Sequence, residues 1–489
     1  MCRTYNWGYN MRVLFIYSET LKKNIYPVTT KRPLYANDEI PFGVAYLSSA
    51  LEQYGHLTDV FIVTLRTPRK QINQVIRSFK PEIICMSTVF REVETITKTA
   101  AYIKEKYSDI ILVAGGPHVT LNPELFMQSS FDIICQGEGE QAITELINNI
   151  EQREKIDDIQ NLWFKKDDCI VRNEPRCFNQ DIDSLAFPNR KMWKRYIVNN
   201  KTPISILVGR GCPFNCSYCC NHALKKAASG QYVRFRSPQN VITEIKQVLR
   251  EFPENDTIYF EVEAINVNMD YVEALCKSLN EFNKTLKRNI FYGANVRIIP
   301  SQDIDHLFSL FRLANICYIN IGLESGSERV RSEIMKRNYS NEDIYEMVRT
   351  AKRYRILSML YVMIGLPTET LVEYEETLQI LKKCQPYSTQ LNIFCPYPGT
   401  VLHEYCREHN LLPDNLRDLG RNVAVLNMPQ FSKKEIQKQY YKFYPRLYSK
   451  SKMQYAILYF FSVLVQKYGF KRLYLITVKL INKFKEHKL

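Results

Sequence analysis

Three cysteines in the segment Arg210-Gly211-Cys212-Pro213-Phe214-Asn215-Cys216-Ser217-Tyr218-Cys219 have the types and spacing to do chemistry. The C-x-x-x-C-x-x-C pattern offers three thiolates and no fourth. Three thiolates can hold three irons of a cubane cluster and leave the last iron open to a substrate, whereas a closed structural zinc site asks for four ligands. Gly211, Pro213 and Asn215 suit a loop that wraps closely around an ion. An open iron implies catalysis.

The elements that must position this loop show as a second alternation of strands and helices. Strands are expected at Ile204–Gly209, Thr257–Val262, Asn289–Val296, Ile316–Leu323, Ser358–Ile364 and Thr389–Phe394. Ser237-Pro238 and Ser340-Asn341-Glu342-Asp343 mark helix starts between them. Six βα units predict a partial (β/α)6 TIM-type barrel, whose chemistry sits at the carboxyl ends of its strands. The cysteine loop follows the first of them directly.

An earlier alternation has strands at Arg12–Tyr17, Asp59–Val63, Glu82–Ser87, Ile110–Ala114 and Asp132–Cys135, with helical patterns at Gly43–Tyr54, Arg69–Phe79, Glu92–Tyr107 and Gln141–Asn149. Apolar strands separated by helices predict an α/β fold with a doubly wound, Rossmann-like parallel sheet. Ligands of such sheets bind beyond the strand ends. Three loops fall there: Ser87-Thr88, Gly115-Gly116-Pro117-His118 and Gly137-Glu138-Gly139-Glu140. Each glycine alone reads equally as a tight turn; two glycine loops on one rim favour a ligand cradle. The first strand runs into Tyr17-Ser18-Glu19-Thr20, which lacks a dinucleotide fingerprint.

The 489 residues thus divide into a ligand-binding domain (1–155), a connector (156–200), a barrel core (201–410) and a basic, aromatic, helical C-terminal region (411–489). The 14 cysteines are scattered through apolar runs, as buried thiols of a reducing cytoplasm are. No signal peptide shows at Met1 to Asn10, and translation could begin at Met1 or Met11. The longest apolar run, Tyr455 to Val465, is too short to span a membrane. Of the net charge of +15, the segment from Ser432 holds 14 Lys/Arg against 2 Asp/Glu, hence +12, which leaves +3 for the rest. That tail reads as a solvated helical lid, a peripheral contact with an anionic membrane, or, with less support, a nucleic-acid contact.

The cysteine loop, with Tyr218 before its third cysteine, resembles the signature of the radical S-adenosylmethionine (SAM) superfamily. Asn320 to Ser327, Met363 to Thr370 and Pro396 to Thr400 resemble its later strand motifs. Pro41 to Leu47, Tyr54-Gly55-His56 and the two glycine loops resemble the cobalamin-binding domain fused to one branch of it. The resemblance implies a [4Fe–4S] cluster on Cys212, Cys216 and Cys219, with SAM chelating the fourth iron and being cleaved to a 5′-deoxyadenosyl radical. It further implies cobalamin over Ser87, Thr88, Gly115, Gly116, His118, Gly137 and Glu138. Around SAM it implies Tyr218 near adenine, Glu324 and Ser325 near the ribose, Arg297 at the carboxylate and Gly365 as a backbone turn. Core packing for Tyr218, a turn cap for Glu324 and a structural ion pair for Arg297 stand as alternatives. Glu261 and Glu263 stand where relatives carry paired aspartates. The D-x-H-x-x-G motif, source of a histidine ligand to cobalt, is absent.

The activity so implied is methylation of an unactivated carbon in a small-molecule or lipid-like substrate, with electrons from a flavodoxin or ferredoxin. The alternatives are a cobalamin-dependent cyclase or rearrangement enzyme, a radical enzyme with a vestigial cobalamin domain, an RNA-modifying protein, and a zinc module using the three cysteines and His222.

Overall fold

The computed structural model of the chain describes residues 10–18, 40–166, 169–196, 203–414, 416 and 420–448. The first nine residues and the tail beyond 448, on which the expectation of a membrane contact rests, lie outside them. Among the described residues no helix is long and apolar enough to cross a membrane.

The N-terminal sheet contains β1 (Arg12–Ser18), β2 (Leu57–Val63), β3 (Ile83–Ser87), β4 (Ile111–Gly115), β5 (Ile133–Cys135), β6 (Leu162–Lys166) and β7 (Cys169–Arg172). Its order is β2-β1-β3-β4-β5-β6-β7. The first five strands run parallel, and β6 and β7 add antiparallel. Successive side chains on a strand face opposite ways, so Val13 and Phe15 enter one core while Leu14 and Ile16 enter the other. Helices on both faces close those cores.

The segment expected as a connector therefore does more than connect. Its hairpin extends the sheet, with Trp163 opposite Ile134 and Phe164 opposite Ile133. After it, Arg190 enters the second domain.

That domain begins with β8 (Ile204–Leu207), then the short antiparallel pair β9 (Gly209–Arg210) and β10 (Arg234–Phe235). It continues with β11 (Thr257–Glu261), β12 (Phe291–Val296), β13 (Ile316–Glu324), β14 (Leu357–Ile364) and β15 (Ser388–Ile393). The order β15-β14-β13-β12-β11-β8 is a six-stranded parallel arc, the partial barrel expected. Ser237 caps helix Pro238–Glu251 and Ser340 forms a capping box with Asp343, as the sequence implied. A second box, Thr370 with Glu373, starts helix Leu371–Cys384.

Arg190, Arg236 and Glu244 form a buried triad. Glu244 Oε1 lies 2.6 Å from Arg190 Nη2, and its other oxygen takes a hydrogen bond from Arg236 Nη1. The Arg190 contact is close but not aligned as a hydrogen bond. It ties the segment before β8 to the first barrel helix.

Candidate active site

The cysteine loop leaves β9 at Gly211, whose φ is +85°. A Cβ there would lie 2.2 Å from the Tyr232 carbonyl oxygen, so this tight entry requires glycine. Cys212, Cys216 and Cys219 then line one cavity of about 370 Å³ at the carboxyl ends of the arc. All three are free thiols.

Their surroundings differ. Burial pushes the Cys212 thiol up to about 11. The Cys220 thiol hydrogen-bonds Cys219 and, against the effect of burial, brings it down to about 7. Asn221 Nδ2 lies 3.6 Å from the Cys219 sulfur. Arg297 Nη1 donates to Cys216 Sγ at 3.1 Å, and the same guanidinium covers the Phe214 ring at 3.7 Å. Three free thiols round one cavity, one beside an arginine, fit a cluster that needs three thiolates. Among the described residues, no three His, Cys, Asp or Glu side chains stand at the spacing of ligands to a single ion. A cubane spreads its ligands more widely than one ion does.

Opposite the cysteines lies a locked polar network. Tyr218 donates its hydroxyl hydrogen to Glu324 Oε1 at 3.1 Å. Arg337 donates to the Tyr218 oxygen at 3.0 Å and to the Gly322 carbonyl at 2.6 Å. Burial and the neighbouring Glu324 carboxylate raise the Tyr218 hydroxyl well above its usual range, so it stays protonated and can donate. Glu324 has φ +68° at a register shift between β13 and β14. A non-glycine residue in that region costs about 1–2 kcal/mol, and here it turns a carboxylate into the cavity.

The remaining expectations divide. Tyr218, Glu263, Arg297 and Glu324 line this cavity with the cysteines. Ser325 and Gly365 do not: Ser325 is fully buried with Oγ accepting from the Ser327 N–H, and Gly365 faces Ile436. The Gly365 N–H instead donates at 2.6 Å to Glu369, whose carboxyl burial pushes up to about 8. Arg337, Asn392 and Arg421, which also line the cavity, were not singled out in the sequence, and Asn320 was named only as the start of a strand motif. Asn320 and Asn392 are polar positions within the strands β13 and β15, facing the cavity, a signal that period-two reading of polar residues could have caught. Arg337 and Arg421 lie in loops and gave none.

A second cavity of about 630 Å³ opens between the N-terminal sheet and the barrel. Ser87, Gly115, Gly116, Gly137, Glu138, Glu261 and Glu263 border it, beside apolar Phe15, Phe42, Val44 and Leu47. Gly116 has φ +102°, and a Cβ there would press on the Thr88 carbonyl at 2.8 Å; backbone thus forms the wall. Thr88 and His118 lie beneath it. Thr88 bonds the Val89 carbonyl. His118 packs between Phe90 and Phe126 with Nδ1 at 3.2 Å from Asn122, and burial brings it down to about 4. It is a neutral core histidine. Asn221, Glu263 and Asn295 line both cavities.

Comparison with known proteins accords with this arrangement. The family model of the B12 binding domain matches residues 34–147, and that of the radical SAM superfamily matches residues 206–381. The chain carries a B12-binding domain followed by a radical SAM domain. An uncharacterized methyltransferase from Pyrococcus horikoshii is 26% identical, over 84% of this chain and 88% of its own length. The anaerobic magnesium-protoporphyrin IX monomethyl ester cyclase of Cereibacter sphaeroides is 24% identical, over 75% of this chain and 60% of its own. The structure of the radical SAM methyltransferase TsrM from Kitasatospora setae, with cobalamin and a [4Fe-4S] cluster bound, superposes with a TM-score of 0.64. It is 17% identical and the match covers 88% of this chain and 82% of that one. The protein is thus an enzyme of the cobalamin-dependent, methyltransferase-like branch, and its cofactor set is the [4Fe–4S] cluster, SAM and cobalamin.

Proposed function

We propose that this enzyme transfers a methyl group to an unactivated carbon of a small-molecule or lipid-like substrate. The observation that supports this reading best is the wall common to the two cavities, formed by Asn221, Glu263 and Asn295. A substrate carbon at that wall borders both the SAM side and the cobalamin side. When bound, the cluster supplies the electron that cleaves SAM, and cobalamin supplies a transferable methyl group.

The chain's own residues do the rest. Cys212, Cys216 and Cys219 would hold the cluster, and Arg297 donates a hydrogen bond to the Cys216 sulfur. Phe214, Met363, Phe394 and Tyr397 line the cavity with apolar surface, which excludes water from a reactive carbon. Tyr218, Glu324 and Arg337 present a fixed polar wall whose rotamers are already locked. Asn295, held by Tyr259 at 2.5 Å and by the Val262 carbonyl at 3.0 Å, faces both cofactor spaces. A flavodoxin or ferredoxin as electron donor, and a membrane contact through the basic tail of a cytoplasmic protein, complete the proposal. So does a division of the chain into the four segments given at the outset, with the first domain extended to Arg172.

The test is anaerobic reconstitution with iron, sulfide and cobalamin, followed by reduction with SAM. Formation of 5′-deoxyadenosine and retention of a corrinoid are expected; absence of the first sinks the radical reading, and absence of the second sinks the methyl transfer. Cys216→Ala should reconstitute with little iron and release no 5′-deoxyadenosine. A variant that still cleaves SAM would contradict the ligand assignment.

A further inference from the structure

Two arginines stand directly opposite each other on the strand pair that launches the cysteine loop. Arg210 of β9 and Arg234 of β10 share one register position. Like charges so placed repel and weaken the pair. A carboxylate from the other domain lies between them. Glu138, in the loop after β5, accepts from Arg210 Nη1 at 3.1 Å and from Arg234 Nη1 and Nη2 at 3.0 and 2.8 Å. Glu140 accepts from Arg210 Nη2 at 2.6 Å. The Asn179 N–H adds a contact of 2.9 Å to Glu138.

These side chains are well shielded: Arg210 is 16% exposed and Arg234 4%. Burial alone would push the Glu138 carboxyl up. The Arg234 hydrogen bonds and the charges of Arg210 and Arg234 outweigh it and hold the group below the usual carboxylate range. The pair is therefore charged at neutral pH and weakly screened by salt. Its position matters more than its strength. Gly211 and Cys212 follow Arg210 directly, and Glu138, Glu140, Arg210 and Arg234 all border the larger cavity.

We propose that Arg210 and Arg234 are positioning residues that lock the cysteine loop onto the Glu138 loop, so that filling the larger cavity and assembling the cluster favour each other. The inference rests on the function proposed above. Glu138, though it borders the cavity, then acts on the cysteine loop through the arginines. Coupling of this kind is reciprocal by thermodynamic necessity and commonly amounts to a 5–150-fold change in affinity.

The full chain, handled anaerobically, would be titrated with hydroxocobalamin before and after cluster reconstitution, reading the dissociation constant from corrin absorbance. In the wild type the cluster should tighten binding at least about fivefold. In Glu138→Gln and in Arg234→Gln that ratio should collapse to about one, with circular dichroism confirming the fold. Should Glu138→Gln fail to fold, Arg234→Gln retains the Arg210–Glu140 pair and carries the same comparison. A wild type that binds equally in both states overturns the inference alone. So does a Glu138→Gln protein weakened equally in both states, which is the mark of a direct contact. A wild type that binds no corrinoid in either state overturns the function, and this inference with it.

Discussion

Replacing Glu244 by alanine tests how the segment before β8 is held. The Glu244 side chain is fully buried, and its partners Arg190 and Arg236 are 4% and 3% exposed. Removing it leaves two guanidinium groups in the interior without their counter-charge. Arg190 would keep only the Ser205 carbonyl at 2.9 Å, and Arg236 the Leu207 carbonyl and Asn240 at 2.7 Å each. Breaking a buried ion pair from one side costs about 3–5 kcal/mol. The loss should appear in the unfolding transition of the barrel, followed by urea titration with Tyr fluorescence and by protease cleavage between residues 173 and 203. A chain of two domains need not unfold in one step, so the N-terminal transition serves as an internal control and should not move. Replacing all three residues by apolar ones of similar volume should restore most of the stability, because the triad's desolvation penalty disappears with it. A Glu244→Ala protein destabilised by less than about 1 kcal/mol, the ceiling for an exposed pair, would refute the reasoning.

Two further outcomes are expected. Gly211→Ala puts a side chain at φ +85° against the Tyr232 carbonyl, adding about 1–2 kcal/mol of backbone strain besides the clash. Iron per chain after reconstitution should fall well below wild type, and normal loading would contradict the close entry. Glu369 has a folded value raised to about 8 by burial, above the unfolded carboxyl. The native state therefore binds this proton more tightly. Its contribution is complete below the unfolded value, about 4.3, and is lost as pH rises through about 8. Glu369→Gln should flatten the fall in stability across that window; an unchanged pH profile of urea midpoints would count against it.

Much of this was legible in the chain because burial on both faces writes itself as unbroken apolar strands. Val13 to Ile16 and Ile83 to Met86 have no polar member, and the eleven expected strands form within a few residues of their expected bounds. The place of the hairpin β6–β7 in the N-terminal sheet was harder. The hairpin is antiparallel at the sheet's edge, where Lys165, Lys166 and Arg172 face water, so it reads as a linker. Motifs located the rims but not the side-chain directions: Thr88 and His118 turn under the loop that Ser87 and Gly116 present to the cavity. Contacts such as Glu138 with Arg234, 96 residues apart, leave no local pattern. Nor does Arg337 beneath Tyr218, 119 residues away.

The six-stranded arc has two free margins, β8 and β15, and an unclosed parallel sheet invites pairing with other chains. Each margin is covered by a segment from outside the βα repeats. Arg190 reaches the Ser205 carbonyl on β8, and Tyr444, in helix Lys433–Leu447, donates to the Thr389 carbonyl on β15. The first cover is synthesised before its strand and the second some 40 residues after its own. On the ribosome, at about 5–20 residues per second, the β15 side thus waits a few seconds for its cover. During that interval, aggregation and chaperone capture should concentrate on β15, while the β8 side is already sealed.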